Sequence, residues 1–344
     1  MDLASDWSGF FFDKYRLDKK LGNGSFGVVY KAWDGILKSN CALKIMSFSD
    51  PYEAKRLFSE AAIPYNCQHE NIIKINDGDI INYGGTNYFV INMELANGCS
   101  VEDTMNKAFL SLSDSLNIAK NILFALEHSH TNNVIHRDIK PANILIDNGI
   151  PKLSDFGLAQ ALGSIVNPPR WYCTHTAPEV WNGNSVATVQ TDIYAFGMTL
   201  FRMVNNYANW RDITKGLDIR DLTISGKLIS TIGYENFVPE KIKRIIKKCC
   251  DLSPEKRFKS ANDVRNEIMK LRPNIAWAKQ NEFSWYGKNK DGKQYTIDIE
   301  ETKSSVKTTV KFNGRRIKAY CKCFQNTYDA NDFVCDYVKG TALL

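Results

Sequence analysis

His136-Arg137-Asp138-Ile139-Lys140-Pro141-Ala142-Asn143 is the stretch on which the reading of this chain turns. Within eight positions it brings a carboxylate, an ammonium and a carboxamide onto one short loop. Such a set suits three tasks at once: accepting a proton from a hydroxyl, neutralising a phosphoryl group and ligating a divalent cation. Asp155-Phe156-Gly157, twelve residues past Asn143, offers a second carboxylate. Hard oxygen ligands with no His or Cys partner favour Mg2+ over zinc. Either stretch alone reads as an ordinary turn; the two in this order and spacing do not.

Working outward, Leu21-Gly22-Asn23-Gly24-Ser25-Phe26-Gly27-Val28-Val29 places a G-x-G-x-x-G-x-V loop between two predicted strands. Glycines let a backbone bend sharply and bring its N–H groups against phosphate oxygens with no side chain in the way. Alone, the pattern equally fits a plain hairpin turn. Lys44 follows on the next strand, 17 residues beyond Gly27. A strand lysine is ordinarily a solvated side chain, but here an ammonium can reach phosphates held under the loop. Glu60 and Glu53, on the helix expected over Pro51 to Cys67, both qualify as its partner.

On these motifs the segment from Tyr15 to Arg272 resembles a eukaryotic-type protein kinase of the Ser/Thr class. The match runs in order from Gly22, Gly24 and Gly27 through Lys44, Glu60, Asp138, Lys140, Asn143 and Asp155 to Ala177-Pro178-Glu179, Asp192 and Arg257. The resemblance implies an α+β, bilobal protein-kinase fold with ATP and Mg2+ between the lobes. It implies that Leu21, Val29, Ala42 and Leu145 enclose adenine, that Met93 is the gatekeeper, and that the backbone of Glu94 and Ala96 bonds the adenine edge. The loop from Gly22 through Asn23, Gly24, Ser25 and Phe26 to Gly27 would cover the phosphates. Lys44 would bind the α/β-phosphates while paired with Glu60, which the family's spacing to His69-Glu70-Asn71-Ile72 selects over Glu53. Asp138 would be the catalytic base, Lys140 the contact to the transferring phosphoryl, and Asn143 and Asp155 the metal ligands. Glu179 and Arg257 would form a buried ion pair, and Asp192 would brace the catalytic loop. Lys140 is the Ser/Thr signature, so the expected acceptors are Ser and Thr of protein substrates, with autophosphorylation. The competing expectation is a kinase-fold scaffold that takes nucleotide and signals by conformation.

Several positions depart from the family pattern. Asp155 and Glu179 are only 24 positions apart, leaving Ser164, Tyr172, Thr174 and Thr176 as the hydroxyls of an activation segment. The threonine that normally bonds the catalytic Asp has no secure counterpart, Thr174 being nearest in kind. Ala142 and Ser100 stand where basophilic kinases are often acidic, which argues against a strict demand for Arg near the acceptor.

Periodicity sets the wider organisation. Strand-like alternation dominates from Tyr15 to Phe48, Ile72 to Asp79 and Tyr88 to Glu94, whereas helical spacing dominates Ser113–Thr131, Asp192–Asn205, Pro239–Asp251 and Ala261–Leu271. Past Arg272-Pro273 alternation returns, and Val306–Phe312, Asn313-Gly314 and Arg315–Phe324 read as a hairpin. The expected units are thus an extension over 1–14, a kinase domain over 15–272 with its hinge near 94–99, and a small β-rich domain over 273–344.

Composition sets outer bounds. With 44% hydrophobic residues and 24% charged in 344, the chain is an ordinary globular protein of about two domains. No apolar run approaches a membrane span, so no membrane partner is expected. Nine Cys scattered through so long a chain suit free thiols in the cytoplasm. Of the net charge of +6, residues 273–344 carry +4 (12 Lys and Arg against 8 Asp and Glu). Lys311, Arg315, Arg316, Lys318 and Lys322, interleaved with Phe312, Tyr320 and Phe324, read either as a surface for nucleic acid or an acidic partner, or as the solvated face of a half-buried sheet.

Overall fold

A computed structural model of the chain describes residues 5–24, 27–48, 67–155, 160–161, 165–166, 174–182, 185–186 and 188–344. The helix expected over Pro51 to Cys67 lies outside them save for its last residue.

The first lobe is a six-stranded antiparallel sheet of β1 (Phe11–Phe12), β2 (Tyr15–Gly24), β3 (Gly27–Asp34), β4 (Ser39–Phe48), β5 (Ile75–Tyr83) and β6 (Thr86–Met93) in the order β1-β2-β3-β4-β6-β5. Strict alternation along β3 buries Val28, Tyr30, Ala32 and Asp34 on one face. Strand β4 differs, being buried continuously from Cys41 to Met46 because it is central and covered on both sides. Cys41, Leu43 and Ile45 join one core cluster and Met46 another, which leaves Ala42 and Lys44 on the face opposite Leu43. Residues 5–14 pack onto this lobe: Trp7 and Phe12 are core residues, and the Trp7 backbone N–H donates to the Tyr30 hydroxyl at 2.9 Å. Asp34, wholly buried, accepts from the N–H groups of Ile36 and Leu37 and from Asn92, so the turn after β3 is tied to β6.

The second lobe is helical. Helices α1 (Val101–Lys107), α2 (Leu112–Thr131) and α3 (Val189–Asn205) begin at Ser100, Ser111 and Thr188, whose side chains cap the first turns. Short helices α4 (Trp210–Ile213), α5 (Ile219–Ile224) and α6 (Leu228–Ile232) precede α7 (Glu240–Cys249) and α8 (Ala261–Met269). Helix α3 is buried on every side from Thr191 to Asn205 and is the axis of this lobe. Three two-stranded pairs complete it: β7 (Val134–Ile135) with β10 (Gln160–Ala161), β8 (Ile144–Asp147) with β9 (Ile150–Leu153), and β11 (Ile165–Val166) with β12 (Ser185–Val186).

The remaining residues form a third unit, an antiparallel sheet of β13 (Ile275–Asn281), β14 (Ser284–Asn289), β15 (Gln294–Glu301), β16 (Val306–Phe312), β17 (Arg315–Arg316) and β18 (Lys322–Phe324). The turn at Asn313-Gly314 has both residues at positive φ, 44° and 78°, as a two-residue hairpin requires. Its return strand is broken by a helical turn at Lys318–Tyr320, after which β18 pairs with the start of β16. Helix α9 (Thr327–Thr341) packs Ala330, Val334 and Val338 against Trp277, Trp285, Ile297, Ile299 and Val310. This helix is an addition to the β-rich expectation, although the Asn326 cap and the four-residue spacing of its apolar side chains were legible.

Two chain ends and one tryptophan hold this unit to the second lobe. The Leu344 N–H donates to the Arg272 carbonyl at 2.8 Å and the Asn274 N–H to that of Ala342 at 2.9 Å. Trp285 stands edge-on between Phe109, in the α1–α2 loop, and Phe237, before α7, each ring centroid 5.3 Å away.

The rings of the hairpin are occupied internally. Tyr320 packs on Tyr337 and Phe333, Phe324 on Phe333, and Phe312 on Tyr295, while Lys311 pairs with Asp298. These contacts fit the solvated face of a half-buried sheet, and none of them supports a nucleic-acid or acidic partner. Cys321 donates to backbone carbonyls of Ile317 and Val310, and no cluster of three or more His, Cys, Asp or Glu that could hold a metal ion exists among the described residues. The eight described cysteines are all free thiols.

Candidate active site

The cleft between the lobes collects the polar residues singled out above. Lys44 is 4% exposed, and its Nζ donates to Asp155 Oδ1 at 2.5 Å. Burial alone would raise the Asp155 pKa, but the Lys44 ammonium outweighs it and holds the carboxyl below its usual range. Asp155 sits at φ +61°, a left-handed conformation costly for a residue with a Cβ. Its approach is fixed by Asn71, whose carbonyl accepts from the Leu153 N–H and whose Nδ2 donates to the Pro151 carbonyl. Asn71 thus splices β9 to the strand entering the first lobe, a role that its sequence position did not announce. Glu60 and Glu53 lie outside the described residues, as do Phe156 and Gly157.

The loop from His136 to Asn143 is folded by its own side chains. Asp138 Oδ2 accepts from Lys140 Nζ at 2.7 Å and from Asn143 Nδ2 at 2.8 Å, and Asn143 Nδ2 also reaches the Asp138 carbonyl. Asp192, wholly buried at the start of α3, accepts from the N–H groups of His136 and Arg137 at 2.8 Å each. His130 reaches the same carboxylate at 2.9 Å, a partner that sequence reasoning missed because it lies 62 residues away on α2. These bonds hold Arg137 at φ +72°. Thr199, two helical turns past Asp192 on α3, donates to the Ile139 carbonyl at 3.0 Å.

His136 supplies a measurable consequence. It is wholly buried; its Nε2 contacts the Ser154 carbonyl at 3.0 Å and its Nδ1 accepts from the Asp138 N–H, so the neutral Nε2–H tautomer fits the site. Burial pushes its pKa below the ordinary value, against the pull of Asp192 and Asp138. The unfolded chain therefore takes up a proton near pH ~6.5 that the folded chain refuses. Stability from this group is complete above ~6.5 and is expected to fall as pH drops below it, by up to about 1.4 kcal/mol per pH unit. Denaturant unfolding between pH 7.5 and 5.5 reads this directly; a flat profile would contradict a neutral buried imidazole.

The adenine-side candidates sit on both lobes. Gly22 faces Val29 across the β2–β3 hairpin, Val29 faces Lys44, and Ala42 faces Met93. Leu145, on β8, bridges to Ser100 beyond the hinge, and Leu21 is half exposed at the rim. Gly24 pairs with Gly27, while Ser25 and Phe26 lie outside the described residues. A Cβ on Gly27 would collide with the Ile45 carbonyl oxygen, so this glycine is required by close approach of β3 to β4. At the hinge, Glu94 ties Lys74 to Lys152, with its Oε1 accepting from the Lys74 N–H and its Oε2 from Lys152 Nζ at 2.7 Å. Asp147 is the second carboxylate on Lys152, at 3.1 Å. Ala96 follows in the connection to α1.

On the acceptor side, Arg257 forms a two-pronged ion pair with Glu179, at 2.7 and 2.8 Å, and also donates to three backbone carbonyls. Thr174, the residue nearest in kind to the threonine that normally bonds the catalytic Asp, is engaged elsewhere: it is buried, and its hydroxyl accepts from Trp210 Nε1 at 2.6 Å and contacts His175 Nδ1. It anchors the loop to α4. Ser164 and Tyr172 lie outside the described residues.

The donor set at the cleft floor, two carboxylates and a carboxamide beside two ammonium groups, fits a hard divalent cation with a polyphosphate. Since Asn143 Nδ2 is engaged by Asp138, Oδ1 is the atom it offers a cation.

The protein kinase domain family model matches residues 15–268. The chain is 31% identical over 264 residues to the serine/threonine-protein kinase PrkC of Bacillus subtilis, a match covering 74% of this chain and 40% of PrkC. It is 28% identical over 268 residues to the probable serine/threonine-protein kinase PknB of Lactococcus lactis, covering 75% of this chain and 42% of that protein. A probable serine/threonine-protein kinase of Dictyostelium discoideum matches at 30% over 249 residues, 69% of this chain and 14% of its own length. The chain thus spans about two fifths of the length of the bacterial relatives, and the matched family region ends before β13.

Proposed function

The chain belongs to the protein kinase domain family, and from that premise we propose that it is a serine/threonine kinase transferring the γ-phosphoryl group of ATP to hydroxyls of protein substrates. The carrying observation is the Asp138 carboxylate gripped by Lys140 at 2.7 Å and Asn143 at 2.8 Å, on the loop that Asp192 clamps. Asp138 orients the acceptor hydroxyl and takes its proton as the bond to phosphorus forms. Lys140 stands beside it as the cation that neutralises the transferring group, and Lys44 serves the α/β-phosphates from the opposite lobe, with Glu60, outside the described residues, as its partner. Asn143 and Asp155 would hold Mg2+, which when bound screens the phosphate charge. Leu21, Val29, Ala42, Met93 and Leu145 form the adenine slot, closed at the hinge by the backbone of Glu94 and Ala96. Residues 15–272 are the catalytic domain, working in the cytoplasm, and residues 273–344 are a separate unit docked on it.

The test is phosphosite mass spectrometry after incubating the full chain with ATP, Mg2+ and a generic basic protein. Phosphoserine and phosphothreonine are expected on the substrate and on the chain itself. No transfer would favour a nucleotide-binding scaffold, and phosphotyrosine alone would refute the assigned acceptor class.

A further inference from the structure

The net charge of +6 is distributed far from evenly. Residues 240–272 hold 11 Lys and Arg against 5 Asp and Glu, so this stretch of the second lobe alone is as basic as the entire chain, and residues 1–239 are net acidic, with 21 against 25. Helix α7 is the centre of it. Ile242, Ile245, Ile246 and Cys249 face the core, while Lys241, Arg244, Lys247 and Lys248 are exposed on the outer side. Helix geometry brings Lys241, Arg244 and Lys248 into one stripe, and like charges three or four apart destabilise a helix. The helix dipole compensates Lys247 and Lys248 in the last turn but works against Lys241 in the first. Lys243 is relieved by Glu240 at 2.7 Å; Arg244, Lys247, Lys256 and Lys259 have no ion-pair partner within 4 Å among the described residues.

The stripe runs into an open groove of about 560 Å3 between the end of α7, the loop at 255–259 and α8. Lys248, Lys256, Lys259 and Lys270 line it, with Phe258 as an apolar floor under the Lys248 ammonium, 4.2 Å from the ring. Three carboxylates, Glu255, Asp263 and Glu267, also line it. Lys270 pairs with Glu267 at 2.6 Å, which leaves Glu255 and Asp263 facing the groove, and the backbone of a phosphodiester strand has no N–H to offer them. A polypeptide spaces its charges and carries N–H groups that bond carboxylates. Arg257 forms part of the same wall while anchoring Glu179, so the groove adjoins the loop over 174–182 on the acceptor side of the cleft.

We propose that the outer face of α7 and the adjoining groove form a docking site for an acidic segment of a protein partner, built from none of the residues assigned to phosphoryl transfer. Cations at an open rim contribute association rate and orientation more than tight binding, and are screened over about 8 Å at physiological salt. The site does not depend on the chain being an active kinase.

The full chain is titrated at 150 mM salt against three fluorescein-labelled probes: a 15-residue Asp/Glu-rich peptide, a Gly/Ser peptide of equal length and a 15-nucleotide single strand. The acidic peptide is expected to bind, the Gly/Ser peptide not. Lys248→Glu with Lys259→Glu is expected to weaken the acidic peptide about tenfold, and Lys248→Gln with Lys259→Gln by less. Lys19→Glu with Lys38→Glu, an equal charge change on the first lobe, is expected to leave binding within twofold. Thermal melting confirms that each variant is folded, the Gln pair standing in should the Glu pair unfold. No binding of the acidic peptide, equal loss from both charge reversals, or tighter binding of the oligonucleotide with loss on the same α7 and groove changes would each overturn the proposal.

Discussion

Replacing Asp138 by Asn is expected to lower the rate of phosphoryl transfer by about two to four orders of magnitude, with nucleotide binding retained. The carboxylate is the proton acceptor in the proposed reaction, and the amide keeps its shape while losing its basicity. The surroundings should survive the change, because an Asn carbonyl at the Oδ2 position can still accept from Lys140 and Asn143, which now reach it at 2.7 and 2.8 Å. Asp192 and His130 continue to clamp the backbone from the other side. The measurement is single-turnover transfer of labelled phosphate, alongside the thermal shift produced by ATP with Mg2+. Full activity in the variant would remove Asp138 from the chemistry. A collapse of both transfer and nucleotide-induced stabilisation would instead mark it as structural.

The second large effect belongs to Trp285. This indole is 2% exposed and fills the junction between the C-terminal sheet, Phe109 and Phe237. Trp285→Ala removes a bicyclic ring from both the third unit's core and its seat on the second lobe, and is expected to cost about 3–5 kcal/mol. Trp285→Phe should cost far less, since the Trp285 Nε1 has no hydrogen-bond partner among the described residues and its loss relieves a buried donor. Chemical unfolding reads the stability, and limited proteolysis near Arg272–Ile275 reads whether the unit has come away. Equal effects of Ala and Phe would refute a packing role. Because Phe109 sits between α1 and α2, just beyond the hinge, undocking also removes a support from the helix that follows the nucleotide cleft.

Local signals carried most of the fold. Alternation along β3, the Ser and Thr caps before α1, α2 and α3, and the turn dipeptides Asp291-Gly292 and Asn313-Gly314 each act over a few residues, so the elements they specify are legible without neighbours. The site was legible for a related reason: Asp138, Lys140 and Asn143 lie within six residues, and their mutual bonds follow from that proximity. Helix α9 follows a hairpin whose alternation sets the β-rich expectation for the whole unit, although Ala330, Val334 and Val338 carry a helical period.

What needed the tertiary structure was every link between distant segments. His130 and Asp192, Asn71 and Leu153, and the Glu94–Lys152–Asp147 cluster join residues dozens of positions apart, and nothing local distinguishes such side chains from their solvated equivalents. Thr174 shows the same limit: its residue type alone left its partner open, and burial against Trp210 set it. Charge behaved likewise. Sequence by itself determined that this chain is mildly basic and that its last 72 residues are more so; only the fold laid the cations of α7 and the loop after it along one groove, because a helix gathers residues three and four apart while a core decides which of its faces meets water.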